Sequence, residues 1–91
     1  MDVVSFEKVK KSLKFIPDHI RTKLLSWASS VELEGIIEVR KISGFHDEPL
    51  KGNRIGQRSI RLSKSYRAIY EERSKGTFNI IDVIEVNKHD Y

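Results

Sequence analysis

The residues able to do chemistry crowd into one stretch of this chain. Between Lys51 and Arg67 lie six basic side chains, Lys51, Arg54, Arg58, Arg61, Lys64 and Arg67, and no acid. Four are arginines, whose planar guanidinium can grip a phosphate through two parallel hydrogen bonds, where a lysine offers a point charge. Such a cluster is suited to a polyanion. A second group lies at the end of the chain, Asn87-Lys88-His89-Asp90-Tyr91. Within it His89 can give or take a proton near neutral pH, and Tyr91 adds a phenol. Taken alone, a histidine so placed is an exposed bystander. It gains interest only if the tail folds over the arginines.

The elements that must position these groups follow from apolar spacing. Ile60 and Leu62 alternate with Ser59, Arg61 and Ser63, and Tyr66, Ala68 and Tyr70 alternate with Arg67 and Ile69, which is a period-2 strand pattern. If the apolar and aromatic sets face a core, Arg61 and Arg67 emerge side by side on the other face. Two guanidinium groups so close repel unless an anion or a carboxylate lies between them. The bland alternative is a salt-bridged surface with Glu71, Glu72 or Glu85. Three strands are predicted, at about 57–63, 66–72 and 77–87. Their short connections make them antiparallel. Val3 and Val4 give thin support to a first strand over 2–5.

Ahead of these strands the pattern is helical. Phe6, Val9, Leu13 and Ile16 fall at spacings of three and four, tracing one face of a helix that Pro17 ends. Lys8, Lys10, Lys11 and Lys14 then lie mostly on its solvated side. Asp18 is placed to cap a second helix with the stripe Ile20, Leu24, Ala28 and Val31, stopping at Gly35. A short third helix follows over 36–42. Between 44 and 56, Pro49, Gly52, Asn53 and Gly56 mark a loop. The fold expected is α+β, an N-terminal helical hairpin packed on one face of a small twisted antiparallel sheet.

Composition narrows the class. Ninety-one residues make one domain, 1–91, with room for one sheet and helices on a single face. The absence of cysteine removes disulfides and thiolate zinc sites and fits a reducing cytoplasm. No apolar run reaches the ~20 residues of a membrane span. The first 34 residues carry six basic and five acidic groups, so the net charge of +4 resides largely in the 51–67 stretch. His46, Asp47 and Glu48 with His89 and Asp90 lack the two-histidine spacing of a helical metal site, and no metal or other cofactor is expected. The serines have no nucleophile-elbow context.

The run HDEPLKGNRIGQRSIRLSKSYRAIY, with VIEVNKHDY after it, resembles the RelE/ParE superfamily of bacterial toxin–antitoxin toxins, and within it the HigB/RelE-like mRNA interferases. Leu50-Lys51-Gly52, Ser59-Ile60-Arg61-Leu62 and Tyr66-Arg67-Ala68-Ile69-Tyr70 carry the likeness, which covers the second half of the chain. It implies a RelE-like microbial RNase fold and a metal-independent endoribonuclease that cleaves mRNA in the ribosomal A site. There the 2′-hydroxyl attacks the adjacent phosphate, leaving a 2′,3′-cyclic phosphate. The resemblance implies catalytic roles for Arg61, Arg67, His89 and Tyr91. RNA would be held by Lys51, Arg54, Arg58, Lys64 and His46. Where the pattern has its first basic strand position, this chain has Ser59, with Arg58 adjacent. A cognate antitoxin is implied as partner, with DNA reached only through it. Two other readings keep the fold: a ParE-like poison of DNA gyrase, and a non-catalytic homologue acting only in a repressor complex.

Overall fold

The computed structural model describes residues 1–88. Five strands form one mixed sheet: β1 (Asp2–Ser5), β2 (Glu48–Pro49), β3 (Gln57–Arg61), β4 (Tyr66–Lys75) and β5 (Phe78–Lys88), in the order β1-β5-β4-β3-β2. The four strands β2 to β5 pair antiparallel, whereas β1 pairs parallel to β5. The parallel edge departs from the wholly antiparallel sheet predicted. Nothing local in the sequence signals a pairing between strands at opposite ends of the chain.

One helix, α1 (Asp18–Glu34), covers the sheet, and a single further turn, α2 (Ile36–Val39), follows it. Ile20, Leu24, Trp27, Ala28 and Val31 of α1 are buried with Ile60, Leu62, Ala68, Tyr70, Ile81 and Val83 of the sheet, as their spacings require. Gly35 separates the two helices at φ 89°, ψ 150°, a backbone region open essentially to glycine alone, and its N–H closes on the Val31 carbonyl at 2.8 Å. Asp18 does not cap α1. It is the first helical residue after Pro17, and its carboxylate accepts from Arg21 Nη1 at 2.5 Å instead.

The first half of the predicted helical hairpin is a pair of 3₁₀ turns, Glu7–Val9 and Ser12–Phe15. Val9 and Ile16 are buried, and Phe6 and Leu13 pack against the core, so the apolar stripe lands as expected. A spacing of three and four suits a 3₁₀ turn as well as an α-helix, and ten residues make a marginal helix on their own. The last carbonyls of the segment find their donor in α1. Arg21 of α1 donates from Nε and Nη2 to the Leu13 carbonyl at 3.1 and 2.9 Å, and from Nη2 to the Ile16 carbonyl at 3.0 Å.

A register shift between Ile69 and Tyr70 re-phases the long strand. Ile69 pairs with Glu85 but Tyr70 with Val83, leaving Ile84 as the extra residue of a bulge. Ile81, Val83 and Val86 can therefore all face the helices, and this explains an apolar run that breaks strict alternation.

The tie between Arg21 and the 3₁₀ segment yields a prediction. Arg21→Ala should lower the urea-unfolding free energy by about 1.5–3 kcal/mol, the range for hydrogen bonds to a charged donor. Arg21→Lys should recover only a minor part, because one ammonium lacks the fork that serves both carbonyls. A neutral Arg21→Ala would show that the segment holds itself.

Candidate functional site

The sheet face turned away from α1 is left open by the described residues and is built from two adjacent rows. In one row Glu48, Ser59, Ile69 and Glu85 lie side by side on β2, β3, β4 and β5; in the next, Arg61, Arg67 and Asn87 do so on β3, β4 and β5. Directly opposed residues of an antiparallel pair project to the same face with Cβ atoms about 5 Å apart. Arg61 and Arg67 are such a pair. The alternation read from the sequence thus places the two arginines together.

Their surroundings differ. Arg67 Nη1 donates to Ser59 Oγ at 3.2 Å and reaches Glu48 Oε1 at 3.5 Å. Ser59 is buried beneath it, a packed support rather than an exposed serine. The Glu48 side chain is 61% exposed, and an exposed ion pair contributes about 0–1 kcal/mol. That leaves Arg67 available to a stronger anion. Arg61 has no acidic partner among the described residues.

The other cations of the stretch have different places. Arg54, on the 3₁₀ turn Gly52–Arg54, donates from Nε to Gln57 Oε1 at 2.9 Å and from Nη2 to Glu85, so it closes the row beside the pair. Arg58 points to the helix side. It lies opposite Tyr70 and donates from Nε to Asp47 Oδ1 at 2.6 Å. The structure therefore does not bring Arg58 to the face holding Arg61 and Arg67. Lys51 and Lys64 are exposed in the connections before β3 and after it. His46 is exposed with φ 45°, a left-handed conformation, and its side chain makes no hydrogen bond to the described residues. His89 and Tyr91 lie outside the described residues. β5 ends at Lys88, one position past Asn87, the residue opposite Arg67.

Two features escaped the sequence reading. The first is Glu48. The 51–67 stretch holds no acid, but β2 lays residues from just before it against β3. The bland alternative is met in part: Glu85 pairs with Arg54, Glu71 with Lys8 and Glu72 with Arg40, yet none of the three reaches Arg61 or Arg67. The second is a buried polar cluster under the face. The Tyr70 hydroxyl donates to Asp47 Oδ2 at 2.5 Å and accepts from Arg40 Nε at 3.1 Å, and Arg40 Nη2 continues to Glu72. The Tyr70 ring stacks on Trp27, centroids 5.3 Å apart and tilted by 45°. Alternation sends Asp47 inward and Glu48 outward from consecutive positions.

Burial, reinforced by the Asp47 carboxylate, pushes the Tyr70 phenol far above its usual range against the opposing pull of Arg40. For Glu72, burial works to raise the carboxyl, but hydrogen bonds from Asn79 and Arg40 outweigh it and hold the group below its usual range.

Solved structures match this chain over nearly its whole length, although no protein-family model and no curated protein matches the sequence. The chain has the fold of the RelE/ParE superfamily of toxins. A YoeB/ParE toxin from Agrobacterium tumefaciens superposes with a TM-score of 0.70 at 18% identity, covering 98% of each chain. YafQ from E. coli gives 0.63 at 15% identity, over 97% of this chain and 91% of that one. The toxin–antitoxin complex RelBE2 from Mycobacterium tuberculosis gives 0.61 at 18%, over 98% and 96%.

The Tyr70 cluster sets a pH dependence. A phenol whose folded pKa is raised stabilises the fold fully below its unfolded value near 10, and loses that contribution as pH climbs toward the folded value. In an alkaline titration followed at 295 nm, the phenolate signal present in wild type but missing from Tyr70→Phe should appear only above pH ~10 and together with unfolding. Its appearance at pH ~10 in the folded protein would contradict the buried donor to Asp47. Glu72 has the opposite sign. Its contribution is complete above the ordinary carboxyl value and fades as pH falls through the lowered one.

Proposed function

We propose that this chain is the toxin of a type II toxin–antitoxin system, a HigB/RelE-like mRNA interferase that cleaves mRNA on the ribosome and arrests growth. The observation that carries the reading is Arg61 directly opposite Arg67 on a sheet face left open by the described residues, with a carboxylate beside Arg67. The pair supplies two guanidinium groups to one phosphate, where charge accumulates in the transition state. Glu48 is the residue we assign as general base. It stands on the same face, loosely held and exposed, and so can take the proton of a ribose 2′-hydroxyl.

The freed 2′-oxygen attacks phosphorus and the bond to the 5′-oxygen breaks. The leaving oxygen takes a proton from His89 or Tyr91, giving a 2′,3′-cyclic phosphate and a 5′-hydroxyl. No metal ion is needed for these steps. Lys51 and Lys64 flank the pair and are assigned to the RNA backbone, with His46 in the loop before β2. Arg54 and Arg58, each tied to an acid, are assigned to holding the face in shape. A cognate antitoxin is the proposed partner, in keeping with the toxin–antitoxin complex among the structural matches, and the cytoplasm is the proposed site of action.

Induced expression with 5′-end mapping of transcripts tests the reading. Wild type should arrest growth and create new 5′-hydroxyl ends within translated codons, only when ribosomes are present. Arg67→Ala should reduce cleavage about 10²–10³-fold, the cost of losing one donor to a developing anion, with circular dichroism unchanged. Glu48→Gln should slow it about 10²–10⁴-fold. Arrest without new transcript ends, persisting when residues 88–91 are deleted, would favour the gyrase poison instead. Neither arrest nor new ends would leave the non-catalytic homologue.

A further inference from the structure

Arg54 is gripped at two points that lie on either side of β4. It leaves the 3₁₀ turn Gly52–Arg54 ahead of β3 and donates from Nε to Gln57 Oε1 on β3 at 2.9 Å, while Nη2 donates to Glu85 on β5. Gln57 stands two residues before Ser59 on β3, and Glu85 lies opposite Ile69. Both side chains therefore share the face that carries Arg61 and Arg67. With β4 between β3 and β5, the guanidinium crosses β4 at the level of Ile69 and Glu71. Asn87 steadies the far end, its Nδ2 donating to Glu85 Oε1 at 3.4 Å.

Two hydrogen bonds to different nitrogens fix the plane of the guanidinium as well as its position. A phosphate could claim this cation only by breaking both and leaving Glu85 as an unpaired negative charge beside it. What the side chain, 40% exposed, offers instead is a flat face. Guanidinium is weakly hydrated, and its planes take unstacked bases as aromatic rings do. The row of Ile69 adjoins that of Arg61 and Arg67, about 7 Å away along the strands. Gln57 adds an edge contact. Its Oε1 is committed to Arg54, and its Nε2 donates to none of the described residues, so that amide nitrogen can meet an acceptor on a base.

We propose that Arg54 is a stacking platform for the nucleobase adjoining the scissile phosphate, with a purine as its preferred occupant. The inference rests on the ribonuclease reading above. A phosphate held between Arg61 and Arg67 leaves its neighbouring base within reach of the next row. There the bicyclic purine covers more of the guanidinium plane than a pyrimidine does. Stacking is tolerant of base identity, so the platform biases the cut toward purines without specifying a codon. A clamp without a substrate role, or a phosphate ligand, would depend on the charge of Arg54 and not on its flatness. Charge and flatness can be separated by substitution.

The probe is a trinucleotide with a central adenosine and 2′-O-methyl groups throughout, which blocks cleavage, titrated into the ¹⁵N-labelled full chain. The Arg54 Nε–H resonance should move upfield under the ring current, and further than with the central-uridine analogue at equal saturation. Arg54→Ala should weaken the adenosine probe about 5- to 100-fold, the worth of one stacked base. Arg54→Tyr, which keeps a flat π-surface and loses the ion pair, should bind within about threefold of wild type. Arg54→Lys, which keeps the charge and loses the plane, should resemble Arg54→Ala. Rescue by lysine and not by tyrosine would overturn the proposal, as would a wild-type chain whose Arg54 resonance stays unmoved by the probe. If Arg54→Tyr disturbs the fold, the lysine variant still decides, since wild-type affinity there contradicts a platform. The probe is never cut, so stacking is seen whether or not the chain is a nuclease. Transcripts can likewise be cut whether or not Arg54 stacks, and the two readings fail separately.

Discussion

One buried carboxylate organises the site. Asp47, its side chain 1% exposed, accepts from the Tyr70 phenol and from the Arg58 guanidinium. An unpaired charge there would be costly, so the three groups hold one another in place. Tyr70 is itself fixed by Trp27 of α1 and by Arg40 after α2. The loop before β2 is thereby clamped to the core. The residue next to Asp47 must face the other way, and that residue is Glu48. The position of the proposed base follows from the satisfaction of a buried acid one residue earlier.

The same sorting resolves the one-signed basic stretch. Six cations without an acid look like a uniform polyanion-binding surface in sequence. In three dimensions each face removes one arginine: Arg58 goes inward to Asp47, and Arg54 is drawn across the sheet to Glu85. Arg61 and Arg67 are left opposed, and among the described acids the exposed Glu48 alone reaches Arg67. A face covered in mobile cations would hold any nucleic acid. Two guanidinium groups opposed on adjacent strands suit the single phosphate of the proposed reaction.

What was legible in the sequence was whatever depends on short-range periodicity. Ile60 and Leu62 against Arg61, and Ala68 and Tyr70 against Arg67, suffice to oppose the arginines, and Gly35 suffices to end α1. What was hidden depends on contacts between distant segments. Glu48–Pro49 is too short to read as a strand and reads as a turn. The 3₁₀ turns of residues 7–15 are tied to α1 by Arg21, which donates to the Leu13 and Ile16 carbonyls, and neither that contact nor the parallel seat of β1 beside β5 has a local mark. Ser59 was legible as lying on the arginine face but not as buried there, since its cover is Arg67 itself.

The central claim is that Arg67 and Glu48 act as one unit on a phosphodiester. Single-turnover cleavage of an mRNA positioned on purified ribosomes, measured for wild type, Arg67→Ala, Glu48→Gln and the double variant, addresses it directly. Residues that work as a unit are non-additive, so the double variant should cleave about as slowly as the slower single one. A double variant whose loss equals the product of the two single losses, or one that cleaves at the wild-type rate, would contradict the account.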